Sequence, residues 1–212
     1  MHNPSRSAAL AVGAAVAGLV FFADGTAAQA HRNPARPDSM RIIQSVEPRS
    51  GPPGTEVRLY TENLPLLAQV IIGVGTETGF EEIGRARQME FGEIGATVTV
   101  PADASWDRPI VFIIFHGNFA PAGMSPPFHV TNGDGLVRRT GTVTAAADGS
   151  GCFVLTDGDG YAYALSSPGH AVSAGETVTV EGRFLPGADV EPAAGVCGGE
   201  TLEVVALERL PV

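Results

Sequence analysis

The chain has 212 residues, 44% of them apolar, 17% charged and 7% aromatic, with 27 glycines and 16 prolines. This apolar content excludes a disordered acidic tail, and low charge with frequent Gly and Pro excludes a coiled coil. The net charge is −10 and all 13 basic residues are arginines, which argues against DNA or RNA as a partner, because phosphate contacts need a basic excess.

Residues 1–30 read as a secretory signal peptide. Arg6 gives the positive flank, Ala8 to Ala23 form an apolar run, and Ala28-Gln29-Ala30 supplies a small-x-small cleavage site. The run is shorter than the roughly 20 residues of a spanning helix, and Asp24 follows it, so cleavage near Ala30 is expected over a permanent anchor. No cysteine lies near the site to carry a lipid, and no later stretch is long and apolar enough to span a bilayer. The expected location is therefore the periplasm of a Gram-negative-type envelope, or outside the cell, with no membrane span after cleavage. Residues 31–39, with Pro34 and Pro37 and no apolar period, read as a flexible leader.

From residue 40 onward the dominant signal is period two. Val57 and Leu59 fall on one face of Thr55–Thr61, and Glu56 and Arg58 on the other. Thr97–Val100 and Thr177–Val180 alternate in the same way. Val70–Ile72 and Ile110–Phe115 are continuous apolar runs, as in strands covered on both faces. Glu81–Met89 is the one mildly helical window, and Gly84 interrupts it, so at most a turn or two of helix is expected.

The segment from Ile43 through Val46, Pro48, Ser50-Gly51, Gly54-Thr55, Val57 and Leu59, then Glu62-Asn63-Leu64, resembles the opening of an IPT/TIG domain. The resemblance covers about residues 40–131 and implies an immunoglobulin-like β-sandwich. In that reading Pro48 ends the first strand, Ser50 to Gly54 form a sharp turn, and Thr55, Val57 and Leu59 point inward. The chain departs from the family at Tyr60-Thr61, where a Gly is frequent, and residues 75–92 do not align. The resemblance also implies a spacer or accessory role without catalytic residues of the domain's own.

Thr131–Gly135 is all turn formers, so residues 132–135 are read as a linker. Residues 136–212 then offer five strands, at 138–145, 151–156, 160–165, 176–183 and 201–209. The second and third are joined by Asp157-Gly158-Asp159-Gly160, which has hairpin-turn chemistry. Five short strands with a long excursion before the last resemble a small OB-like barrel, a sandwich fragment being the alternative. Gly141 and Gly182 fall where so small a barrel must bend. The fold class expected is thus all-β: a sandwich followed by a small five-stranded barrel.

Cys152 and Cys197 are the two cysteines, and an even pair in an exported chain reads as a disulfide. Two buried thiols or a metal pair is the competing reading. The bridge would pin the 184–200 excursion to the barrel.

Signatures of chemistry are sparse. No Gly-x-Ser-x-Gly, Gly-Lys-Ser/Thr, His-x-x-x-His or Cys-x-x-Cys occurs, and no cofactor is implied. Asp157-x-Asp159-Gly160 is a fragment of a calcium loop and more simply a turn. Cleavage after Ala30 would make His31 the amino terminus, able to hold copper through imidazole and amine, with His116 or His129 as a further ligand. Taken singly, His116 and His129 read as strand-end side chains. Tyr161 and Tyr163 share a strand face and could stack on a sugar or peptide, although core packing is the commoner use of such a pair. Trp106, the single tryptophan, is expected to cap the sandwich core; exposed, it would be a contact residue. The function expected is a non-catalytic, exported binding or assembly module acting on a protein or carbohydrate of the cell envelope. A periplasmic copper protein, or a hydrolase whose site assembles only in three dimensions, is the alternative, and a structural part of an envelope complex is a third.

Overall fold

The computed structural model describes residues 41–62, 64, 69–75, 80–89, 92–146, 151–166, 169–185 and 200–211. The signal segment, the leader with His31, and the excursion with Cys197 lie outside these residues. Among the described residues the protein is all-β, and no helix is long and apolar enough to cross a membrane.

Three sheets form the first half. One holds β1 (Arg41–Ile42), β10 (Pro121–Met124), β9 (Phe112–His116), β5 (Val70–Gly75) and β6 (Phe80–Ala86), in that order. A second holds β2 (Ser45–Glu47), β4 (Glu56–Thr61) and β7 (Ile94–Thr99). The third is short: β3 (Ser50–Gly51), β11 (Phe128–Val130) and β8 (Pro109–Ile110). Alternation on β4 turns Val57 and Leu59 inward, where they meet Val70 and Ile72 of β5 and Phe112 and Ile114 of β9 in one core. Each fully buried aliphatic or aromatic side chain of this kind contributes about 1.5–3 kcal/mol relative to exposure. The opposite face of β5 and β9 is also covered: Ile71, Ile113 and Phe115 pack with Val111, Met124 and Phe80. The continuous apolar runs therefore correspond to strands buried on both sides.

Two expectations are corrected here. Glu81–Ala86, part of the mildly helical window, lies in strand β6, paired antiparallel to β5 with a bulge between Ile72 and Gly73. Pairing along an open sheet edge overrides a weak local helical preference, and Gly84 had already weakened that preference. Ser50-Gly51 is a short strand parallel to β11, so the turn proper begins after it. The Thr55 hydroxyl donates to the Pro52 carbonyl within that turn (2.7 Å) and does not join Val57 and Leu59 in the core.

After β11 the chain turns around Asn132, whose side-chain oxygen accepts from the backbone N–H groups of Asp134 and Leu136 (2.9 Å each). Five strands follow: β12 (Val137–Ala145), β13 (Phe153–Asp157), β14 (Ala162–Ser166), β15 (Thr177–Phe184) and β16 (Thr201–Arg209). They pair in the order β12-β13-β14-β16-β15, and β15 returns to β12 to close a ring. The ring departs from a regular barrel. Its β14–β16 seam has only three parallel residue pairs, and the β15–β16 pairing is bulged between Glu181 and Gly182. Val137, Val143, Leu155, Tyr163, Val178, Val180 and Leu202 fill the inside, separate from the sandwich core.

A buried polar junction as the candidate functional site

The short strand β11 has two buried faces. Phe128 and Val130 enter the sandwich core, so period two turns His129 away from it, toward the ring. On β12, Val137 and Val143 point into the ring, and Arg139 shares their parity. Arg139 is consequently 0% exposed, an arginine inside a five-stranded ring. Such a charge is tolerated only if its donors are satisfied. Its Nη1 donates to the carbonyls of Trp106 (2.8 Å) and Arg138 (2.7 Å), and its Nε to the Tyr163 hydroxyl (3.3 Å).

The remaining nitrogen, Nη2, lies 3.3 Å from Nδ1 of His129. A guanidinium only donates, so Nδ1 must present its lone pair and the ring proton must sit on Nε2. Nε2–H then donates to Oε2 of Glu200 at 2.9 Å, and the other carboxylate oxygen accepts from Nη2 of Arg49 at 2.8 Å. Phe184 covers the imidazole with ring centroids 4.0 Å apart, and Tyr163 meets it edge-on at 5.9 Å. Burial holds the His129 pKa below its ordinary value, with Arg139 and Arg49 acting the same way and Glu200 opposing.

A second arm runs from the same guanidinium. The Tyr163 hydroxyl accepts from Arg139 and donates to Oδ2 of Asp157 (3.2 Å). The other oxygen of Asp157 accepts from the N–H groups of Asp159 (3.0 Å) and Tyr161 (2.8 Å). Burial raises the Asp157 pKa, and those three hydrogen bonds oppose the shift. The carboxylate is thus committed to its turn, and the calcium-loop fragment serves as a hairpin connection. Two arginines face two carboxylates through a neutral imidazole and a phenol, so the cluster is balanced in charge.

The other expected site residues are dispersed. Tyr163 is fully buried in the ring core and Tyr161 packs at its edge, so their common face is mainly interior. Trp106 packs partly buried against the sandwich core, and its carbonyl accepts from both Arg139 and the Arg138 backbone N–H. His116 ends β9, in a different sheet from His129 on β11. His129 is an interior residue joining the two halves, which corrects the strand-end reading. No group of three His, Cys, Asp or Glu side chains is placed to hold a metal among the described residues. Cys152 immediately precedes β13, while Cys197 lies outside the described residues. Sequence reasoning missed Arg139, Glu200 and Arg49. Only Arg139 carried a signal, its inward parity with Val137 and Val143. On the outer face of the β2-β4-β7 sheet, Glu47, Pro48, Glu56, Arg58 and Thr97 line an open depression of about 320 Å³.

No protein-family model matches the chain, and no curated protein matches it. Among solved structures, the chain is similar to an auxiliary nutrient binding protein from Bacteroides thetaiotaomicron, with 14% identity and a TM-score of 0.29. The match covers 73% of this chain and 44% of that one, so this chain spans less than half of that protein's length. A likeness this distant carries no functional argument.

Proposed function

We propose that the chain is a non-catalytic binding or assembly module of the cell envelope, exported by its leader and processed near Ala30. One observation carries this reading. Among the described residues, the imidazole of His129, the carboxylate of Glu200 and the guanidinium of Arg139 come together, but they are buried and engaged with one another. They join two β units and leave the outer strand faces as the surface on which a partner, protein or carbohydrate, would dock. The IPT/TIG-like opening is part of the same proposal, since such domains serve as spacers and accessory modules.

The disulfide Cys152–Cys197 belongs to it too. Closing that loop would stabilise by about 4 kcal/mol on the chain-entropy model. Intact mass of protein from envelope extract, with and without reductant, is expected to show a chain beginning at His31 and a gain of two hydrogens on reduction. Affinity capture from the same extract, with the isolated protein as bait, is expected to retain a specific envelope protein or glycan. Full-length reduced protein in the cytosol would overturn the export reading. Substrate turnover by the purified protein, lost on substitution of one of its own residues, would overturn the non-catalytic one.

A further inference from the structure

We propose that the junction between the sandwich and the ring is an acid-released latch whose trigger is protonation of His129. The geometry admits one protonation state. Nδ1 can meet Arg139 only as an acceptor, and Nε2–H already donates to Glu200. A second ring proton would put an N–H against the guanidinium Nη2 at 3.3 Å, cation facing cation, with no acceptor between them.

The groups around the imidazole leave few ways to absorb that proton. Arg49, just before β3, is engaged with Glu200; Arg139 comes from β12; Tyr163 comes from β14 and holds Asp157 behind it; Glu200 precedes β16. Phe184 of β15 closes the remaining side. Of these, only Glu200 would welcome an imidazolium, and one of its oxygens already serves Arg49. Arg139 is wholly buried and tied to Trp106, Arg138 and Tyr163, so it cannot swing aside without breaking those bonds. Relief comes from withdrawing β11, and the sandwich it belongs to, from the ring: this gives up the Trp106 contact but keeps the Arg138 and Tyr163 bonds and lets water solvate both cations.

The sign follows from the same contacts. A histidine kept neutral in the folded state has its full stabilising effect above the ordinary imidazole value of about 6.5 and loses it progressively as pH falls below that. In the upper part of this range ordinary carboxylates are still ionised, so acid unfolding of the two cores is separable from release of the latch. Each core lies within its own unit, and release leaves both intact.

The test is a titration of the full chain from pH 8 to pH 5. Ring ¹⁵N shifts of His129 report its tautomer, Trp106 fluorescence reports the junction, and small-angle scattering reports overall dimensions. At pH 8 the Nε2–H tautomer is expected. Protonation should coincide with a change in Trp106 emission and an increase in the radius of gyration. In His129→Gln, which stays neutral, the transition should disappear from this range. An Nδ1–H tautomer, or a transition unchanged in His129→Gln, overturns the proposal. If that variant does not fold, the native chain decides: a ring that titrates with no change in emission or dimensions overturns the latch, and coincidence of the three supports it.

Discussion

A Cβ built on Gly141 collides with the backbone carbonyl oxygen of Thr156, so β12 crosses β13 more closely than any side chain would permit. Gly182 stands in the same relation to the carbonyl of Glu203 across the bulged β15–β16 pair. These two points let a short five-stranded sheet turn enough to meet itself. Gly141→Ala is expected to destabilise by about 1–3 kcal/mol through forced backbone displacement. Urea denaturation would show this as a lower midpoint, and an unchanged midpoint would mean that the strands can separate at no cost.

Removing Glu200 should be more damaging than removing its more exposed partner. Glu200→Ala leaves Nε2–H of His129 without its acceptor and the Arg49 guanidinium without its counter-charge. A fully buried pair broken this way costs about 3–5 kcal/mol, but the Arg49 side chain is 31% exposed and water can replace part of the loss. About 2 kcal/mol is expected for Glu200→Ala and about 1 kcal/mol or less for Arg49→Ala. Denaturant titration of both variants checks the ranking, and the reverse order would show that the carboxylate does not anchor the junction.

Tyrosine ionisation probes the ring from within. Burial pushes the pKa values of Tyr161 and Tyr163 well above the ordinary phenol value, with Asp157 adding to both shifts. Because the folded state holds the neutral phenols, their contribution is complete below about pH 10 and is lost as pH rises above it. Absorbance at 295 nm should therefore show fewer than the three tyrosines ionising before the protein unfolds in alkali. Tyr163→Phe, which removes a hydroxyl placed between Arg139 and Asp157, should cost about 1–2 kcal/mol. Ionisation of all three residues near pH 10 with the fold intact would contradict this picture.

The strands were legible because alternation records which side of a pleated backbone meets the core. Val57 and Leu59 on β4 and the start of β15 show it directly, and turn residues such as Asp157–Gly160 help to mark off the runs that become β12 to β16. Glu81–Ala86 was misread because its short, Gly-interrupted pattern has no strong period, and its state was decided by the free edge of β5. The polar junction was largely invisible. Arg49, His129, Arg139 and Glu200 come from four separate stretches, and none forms a motif with its neighbours in the chain.

By itself, the order of residues determined an all-β chain, the strand positions of the ring, and the Asp-Gly and Asn-Gly turns. These are local matters, settled by side-chain alternation and backbone dihedral preference over a few positions. Tertiary structure alone decided that an arginine sits inside the ring, that His129 must be neutral with its proton on Nε2, and that Glu200 joins both to Arg49. The reason is electrostatic: whether a charge survives burial depends on which donors and acceptors surround it. Packing of the sandwich half against the ring brings those partners together from up to 151 positions apart in the chain.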